Sequence, residues 1–455
     1  MLLPIGGHLI KGRDIGIKNN KIYKMKYYSH FDEKVHWKNV KHIVENPEKV
    51  ARHGFFPFIH YTHNIEKFNK KVGRKPPKLR EIFYSSHIDR YIYELYAYKL
   101  NNIYNKRVIK DCTNKCAVAY RDNLHKSNIH FAKKVFDAIR RYNQAYVIIG
   151  DFTGFFDNLD HSYLKDRLCS LLETTILPDD YYAVFRNITK YSYFELEKLK
   201  EITGLKYKEL NKQNRVLELK DFRQYKRECL RKNKNNYGIP QGSAISAVLS
   251  NIYMIDFDKK INDFVTSKKG IYMRYSDDFV IVIPKCEIVE FQKMWVFIDN
   301  IKRSVKNLEL QLEKTQIFEY NNLHVKSCNS LLFHEVPDGK NIINYLGFSF
   351  DGKVITIRDK TISKYYYRMY RKIDAIAKKG GYTKKGKKIP MNTLYKRYSF
   401  YGEEQTKDNR GNFLTYVNRA KEVFGPNEAI DRSTKKHWGK LQKRLHKFWK
   451  EHREN

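Results

Sequence analysis

RYSDDFVIVI, residues 274–283, sets Asp277 and Asp278 side by side at the mouth of a run that otherwise reads as core. Adjacent like charges repel, so the pair needs a reason. In one reading Ser276 and Asp277 are a solvated bend between the strands IYMRY and FVIVI. In the other, the hairpin presents an acid to a divalent metal, whose charge removes the repulsion. The stretch alone is compatible with both, and the rest of the chain has to decide.

The chain has 455 residues, enough for about two to four packed units, and 42% of them are hydrophobic. Its formal charge is +38, from 88 Lys and Arg against 50 Asp and Glu. That excess peaks locally in KKVGRKPPKLR (70–80) and KKGGYTKKGKK (378–388), and its natural partner is a large polyanion. Aromatics reach 15%, with 35 Tyr and 27 Phe, often among basic residues as in KYYYRMYRK (364–372). Cations for phosphates and rings for unstacked bases suit RNA or single-stranded nucleic acid better than a membrane.

The start, MLLPIGGHLIKG, holds an apolar run too short for a signal peptide. Nowhere does the chain offer the roughly eighteen unbroken apolar residues of a membrane span. A cytoplasmic protein is expected. Six Cys in so long a chain predict free thiols in a reducing compartment. Cys112, Cys116, His125 and His130 imitate a zinc pattern, but the gap between Cys116 and His125 is short for a finger and AVAY between them reads as a strand. No zinc is expected there.

Residues 1–80 form a basic, aromatic region closed by KPPK, where paired prolines interrupt any helix. SSHIDRYIYELYAYKLNNIYNKR then puts Ile88, Ile92, Leu95 and Tyr96 on one helical face, with Ser85 or Ser86 as cap. QAYVIIGDF (144–152) is an apolar strand ending in an acid. Residues 161–237 read as charged and mostly helical, strand signals return from 270 to 358, and the remainder is basic and helical.

Three segments carry chemistry. In DFTGFFDNLDH (151–161), Asp151 stands at a strand end, where an unpaired buried carboxylate would be costly without a metal or cation; a helix cap is the alternative. NYGIPQGSAISAVLSNIYMIDFDKKI (236–261) reads as a glycine-punctuated loop feeding a helix capped by Ser243. Its Gly238, Pro240 and Gly242 permit close approach of backbone to a ligand, and Gln241 supplies a donor and an acceptor; an ordinary loop-to-helix turn is the alternative. The acidic hairpin is the third.

This ordered set resembles the palm of reverse transcriptases. Asp151 with Phe155, Phe156 and Asp157 is similar to the family's first palm motif, GIPQGSAIS to its template and nucleotide loop, and Tyr275, Ser276, Asp277 and Asp278 to its YxDD hairpin. LEKTQIF (312–318) and INYLGFSF (343–350) resemble two downstream palm motifs in the family's order. The resemblance covers about 85–350 and implies an α+β fold: a right-hand polymerase with fingers and palm over 81–358 (an antiparallel palm sheet with the YxDD hairpin) and a basic, helical, thumb-like domain over 359–455.

It also implies RNA-directed DNA polymerase activity, dNTP substrates and two Mg2+ ions, with Mn2+ as a possible substitute, about 3.5–4 Å apart. Asp151 and Asp277 would carry both ions, helped by the Phe152 carbonyl. Asp278 would be either a ligand or structural. Lys314 would approach the triphosphate, unless it is merely solvated. Phe156 would meet the sugar of the incoming nucleotide, with Phe155 as the competing ring, and Gln241 and Gly242 would line the nucleotide site. Gly347 would form the primer grip with Tyr345 and Leu346, for which packing alone is the alternative. AVAYRDNLHKSN departs from the family's usual basic pattern, and Arg121 and Lys126 are its candidate triphosphate contacts.

Within the family, NFLTYVNRAKEVFGPNEAIDRSTKKHWGKLQKRL and AVAYR resemble the bacterial defence-associated, or unknown-group, enzymes more than retron or group II intron ones. That implies cDNA made from a partner noncoding RNA in response to phage, with homo-oligomerisation open. Two rivals stand beside it: template-independent or protein-primed DNA synthesis of the abortive-infection type, and a catalytically idle RNA-binding scaffold. Intact Asp151, Asp277 and Asp278 speak against the scaffold.

Overall fold

The computed structural model describes residues 25–69, 73–382, 386–404, 411–426 and 428–451. The apolar N-terminal run lies outside them, as do parts of the basic peaks at 70–80 and 378–388. In chain order the strands are β1 (Phe58–Asn69), β2 (Gly73–Tyr84), β3 (Gln144–Asp151), β4 (Ser192–Glu195), β5 (Arg231–Lys232), β6 (Ile271–Tyr275), β7 (Asp278–Pro284), β8 (Gln316–Asn321), β9 (His324–Ser327), β10 (Ile343–Tyr345), β11 (Phe348–Phe350) and β12 (Ile355–Ile357). They belong to two compact units. One takes the chain up to Arg107 together with Phe156–Tyr253, the other Val108–Phe155 and the chain from Met254 onward.

In the first unit the strand order is β2-β1-β4-β5. The prolines of KPPK fall inside β2, consistent with a segment that cannot be helical. The charged segment 161–237 is not helical throughout: its SYFE adds β4 parallel to β1, Ile59 opposite Phe194, and β5 closes the sheet. Phe31, Ile59, Phe194, Leu199 and Phe222 form the core beneath. The helix His87–Lys110 buries Ile92, Leu95 and Tyr96 and half-buries Ile88. Ser86 accepts from the Asp89 amide at 3.4 Å, and Asp32 adds a second cap, its carboxylate oxygens each 3.0 Å from the amides of His87 and Ile88.

The second unit is built on an antiparallel sheet of order β6-β7-β3-β8-β9. β3 is central, which is why its run from Ala145 to Gly150 is buried on both faces. On one face Val147 and Val280 pack with Phe136 and Ile139 of the helix Asn128–Arg141. On the other, Tyr146 stacks on Phe291 of the helix Ile288–Arg303 with ring centroids 4.1 Å apart. Full burial of each such aliphatic side chain contributes roughly 1.5–3 kcal/mol. A smaller sheet, β10-β11-β12, shares that core, and the helices Asp359–Ala377, Asn392–Tyr398 and His437–Glu451 enclose a second apolar cluster around Met369 and Leu441. The chain is thus an α+β protein with an antiparallel palm-type sheet followed by basic helices. Among the described residues no helix is long and apolar enough to cross a membrane.

Candidate active site

The acids lie where β3, β6 and β7 end. β3 and β7 run antiparallel in a register that sets Asp151 opposite Asp278, and β6 and β7 are joined by the two-residue turn Ser276–Asp277, with Tyr275 opposite Asp278. Ser276 adopts φ 64°, as a tight hairpin turn requires. The next residue of the β3 chain closes the end, the Phe152 amide donating to the Asp277 carbonyl at 3.3 Å. Gly150 is fixed by its cross-strand partner: a Cβ there would lie 2.3 Å from the Phe279 ring.

Beneath the turn is a buried polar network that the sequence reading missed. Arg274, 0% exposed, donates from Nε and Nη2 to the two carboxylate oxygens of Asp258 at 2.8 and 2.6 Å, and from Nη1 to the Ser276 carbonyl at 2.8 Å. Tyr272 donates to the same carboxylate at 2.7 Å. From the other side, the hydroxyls of Tyr120 and Ser276 lie 2.8 Å apart. The signal available in sequence was the strand period, which points Tyr272 and Arg274 to one face of β6.

Lys314, at the end of the single turn Leu312–Lys314, is ion-paired with Asp151. Asp278 has its proton affinity raised to about 7, first by desolvation at the sheet end and then by the charges of Asp277 and Asp151, with Lys314 and Arg358 opposing. Because Asp278 remains exposed overall, the like charges are the component of that shift that an added cation would relieve. The like charges of Asp277 and Asp151 act on Asp278 even with Lys314 and Arg358 opposing them, and an ammonium already stands on Asp151. Both features fit a divalent cation. Among the described residues no group of three or more His, Cys, Asp or Glu side chains is gathered into a ready-made metal cage.

Within the first unit, the loop 238–242 is held by the protein itself. Gly238 and Gly242 (φ 87° and 121°) approach backbone rather than open space: a Cβ would lie 2.9 Å from the Asp157 carbonyl and 2.4 Å from the Phe83 carbonyl. The Phe83 amide donates to the Gln241 carbonyl at 2.8 Å, the Ile239 amide to the Phe156 carbonyl at 2.9 Å, and the Gln241 side chain to Asp157 at 3.2 Å. His161 was also missed. Burial lowers its proton affinity, so its neutral ring donates from Nε2 to the Gly238 carbonyl at 2.8 Å. Asp160 caps the helix His161–Leu172, the role considered for Asp151. Ser243 precedes the helix Ala244–Tyr253 without bonding it, since its hydroxyl has no hydrogen-bond partner; Ser246 donates to the Pro240 carbonyl at 2.7 Å instead. Phe156 is half-buried, while Phe155 is buried in the second unit beside Phe152, 6.0 Å between centroids.

The remaining candidates lie in the second unit. Tyr345, Leu346, Gly347 and Phe348 make the β10–β11 hairpin, whose turn residues Leu346 and Gly347 have φ 45° and 94°. Asn128 Nδ2 donates to the Leu346 carbonyl at 2.9 Å. Tyr345 and Phe348 are buried packing. Arg121 is buried, bonded to the carbonyls of Asn114 and Ala117 at 2.9 Å each, and so braces its own turn. Lys126 is exposed and shares a cavity of about 490 Å3 with Arg121, His125, His130 and Arg419, whose lining includes Asp122 and Glu422 but not Asp151, Asp277 or Asp278. AVAY makes a single bridge, Ala117 beside Arg274, rather than a full strand. Cys112 is exposed, Cys116 is buried with its thiol on the Thr113 carbonyl, and His130 bonds Ser127.

No curated protein matches the sequence. Among solved structures, apo telomerase from Candida tropicalis truncated from its C-terminal domain is 11% identical with a TM-score of 0.40, over 71% of this chain and 60% of that one. Telomerase from Candida albicans in complex with the TWJ fragment of telomeric RNA is 12% identical with a TM-score of 0.39, over 90% of this chain and 66% of that one. This chain therefore spans under two thirds of either, a likeness too distant to bear on substrate or partner. Residues 74–350, more than half of the chain and the stretch holding Asp151, Asp277 and Asp278, match reverse transcriptase (RNA-dependent DNA polymerase), and the chain belongs to that family.

Proposed function

We propose that the protein is an RNA-directed DNA polymerase whose chemistry takes place at the shared end of β3, β6 and β7. The observation that carries this reading is the register that sets Asp151 opposite Asp278 with Asp277 in the adjoining turn. Asp151, Asp277 and the Phe152 carbonyl would hold Mg2+, for which Mn2+ can substitute, and Asp278 would complete the charge. Bound there, the ions would make the primer 3' hydroxyl more acidic and offset charge on the departing pyrophosphate. Arg274 and Tyr120 keep the turn that carries Asp277 in one conformation. Lys314, released from Asp151, has an ammonium proton to give to the leaving group. Phe156 would screen the sugar of the incoming dNTP, Gln241 and Gly242 would orient it, and the Leu346–Gly347 turn would steady the primer.

Asp277→Asn tests this directly. The variant should fold and bind RNA like the native protein yet lose metal-dependent DNA synthesis, and Asp151→Asn should match it. Synthesis by folded Asp277→Asn protein would overturn the assignment.

We further propose that the template is a partner noncoding RNA and that the cDNA serves antiphage defence. The support is the resemblance of AVAYR and of the segment after 411 to the defence-associated enzymes. Sequencing the nucleic acids that copurify with the protein, with and without phage, tests it: one enriched RNA with complementary DNA is expected, and random host fragments would refute it.

A further inference from the structure

The helix Asn392–Tyr398 runs into a single turn, Phe400–Gly402, and the first turn of the helix His437–Glu451 docks against it. The backbone there is closely held. His437, 4% exposed, has Nε2 2.7 Å from the Tyr398 carbonyl, and burial keeps the ring neutral, so this nitrogen donates. Asn412 Nδ2 donates to the carbonyls of Ser399 and Lys396 at 2.7 and 3.2 Å, and the Ser399 hydroxyl accepts from the Tyr401 amide at 3.3 Å. At Gly402 a Cβ would fall 1.7 Å from the Lys396 carbonyl, so the turn lies directly on the helix backbone.

On this firm base the rings face outward. Phe400, Tyr401 and Trp438 are 51%, 66% and 38% exposed, whereas Tyr365, Tyr366 and Tyr398 of the neighbouring cluster are buried. The exposed rings adjoin one another. Phe400 stacks on Tyr401 with centroids 4.4 Å apart and lies 5.1 Å from Trp438, and Tyr395 is 6.3 Å from both Tyr401 and Trp438. Leaving such rings in water forgoes the burial that stabilises the rest of the cluster. Exposed Lys396, Arg397, Lys435 and Lys436 flank them in sequence, and the nearby acid in sequence, Asp431, is ion-paired with Lys421.

Gly439 is the independent observation. It follows Trp438 inside a helix, where glycine destabilises relative to alanine, yet a Cβ there would meet nothing within 4 Å. The chain's own packing does not need that glycine. A smooth surface beside Trp438 does serve a flat ligand lying close to the helix.

We propose that Phe400, Tyr401 and Trp438 form a stacking platform for unpaired bases of a single-stranded polynucleotide, whose phosphates are met by the flanking lysines and Arg397. Aromatic faces accept any base and the cations follow the backbone. A duplex hides its base faces and cannot use the rings.

The test measures binding of the full-length protein to a short unstructured RNA, and to a blunt RNA duplex of equal phosphate number, without nucleotide or divalent metal. Tyr401→Ala and Trp438→Ala should each weaken single-strand binding about five-fold or more and leave duplex binding nearly unchanged, while Trp438→Phe retains it. Gly439→Leu should keep or raise the melting temperature and still weaken single-strand binding. Native affinity in both alanine variants, equal losses on single strand and duplex, or native binding by Gly439→Leu would overturn the platform. With no nucleotide or metal present, none of these outcomes depends on whether the acids at β3 catalyse polymerisation.

Discussion

Arg274 and Asp258 form a bidentate ion pair from which water is excluded, both side chains being at most 2% exposed. Arg274 uses its remaining terminal nitrogen on the Ser276 carbonyl, so the pair and the turn bearing Asp277 are one mechanical unit. Removing one partner leaves the other charge buried and alone, which costs about 3–5 kcal/mol. Arg274→Met should lower stability to urea by that order. Arg274→Met with Asp258→Met should recover most of it while primer extension stays impaired, because Ser276 still lacks its donor. Full activity in the double variant would show that the pair serves the fold alone.

Phe156→Val should admit ribonucleotides. Placed against the sugar as proposed, a phenyl ring would leave no room for a 2' hydroxyl and offer it no hydrogen-bond partner. Single-nucleotide extension with matched dNTP and rNTP should show the ribonucleotide share rising by roughly an order of magnitude or more, with polymerisation retained. Phe155 is buried beside Phe152, so Phe155→Val should act mainly on stability, by about 1–3 kcal/mol. A change in sugar selection for Phe155→Val but not Phe156→Val would move the gate to the other ring.

The sheet that carries Asp151, Asp277 and Asp278 was legible because its signals are local. A strand ending in Asp151, a turn at Ser276–Asp277 and an apolar FVIVI each follow from a few consecutive residues, and the strand period carries them into register. What was not legible depends on distant partners. Nothing near Arg274 in sequence announces Asp258 sixteen residues earlier, nor does DNLDH reveal that His161 will hold the Gly238 carbonyl. The glycines of GIPQG were read as room for a ligand, but their closest neighbours are Asp157 and Phe83, a spacing that only the folded chain defines. The strand SYFE was hidden inside a charged helical segment because four residues give too short a period to read against such flanks. The chain passes between its two units at Arg107, Phe155 and Tyr253, and no shift in composition marks those points.

RNA binding should weaken steeply with salt. The chain carries +38, and each neutralised phosphate of a single strand releases counterions, giving a log–log slope of about −0.7 per contact. A protein of this charge making several contacts should lose two or more orders of magnitude in affinity between low and physiological salt. Fluorescence anisotropy across a salt series measures the slope, and a nearly flat line would assign the charge to something other than nucleic acid.

Acid should destabilise the first unit through His30 and His87, and Asp32 should soften the effect. His30 is fully buried, its Nε2 donating to the Tyr84 carbonyl at 3.2 Å and its Nδ1 accepting from the Phe31 amide at 2.9 Å, so the site fits only the neutral ring. Burial lowers its pKa from 6.5 to about 3, and burial with the charge of Arg90 lowers that of His87 to about 4. Near pH 5 the unfolded chain therefore binds about two protons that the native chain refuses, and stability falls as pH falls from 6.5. Asp32 has the opposite sign. Burial raises its pKa from 3.8 to about 6 against the amides of His87 and Ile88, so between those values the native chain binds a proton that the unfolded chain lacks, and acidification stabilises. For these three first-unit groups the net excess near pH 5 is about one proton, a contribution to the slope of about 1.4 kcal/mol per pH unit. Asp32→Asn removes the opposing group and should raise that contribution to about twice as much, whereas His30→Asn should reduce it. Urea unfolding at a series of pH values between 4.5 and 6.5 gives the three slopes, and a slope for Asp32→Asn no steeper than that of the native protein would show that Asp32 is ionised in the fold.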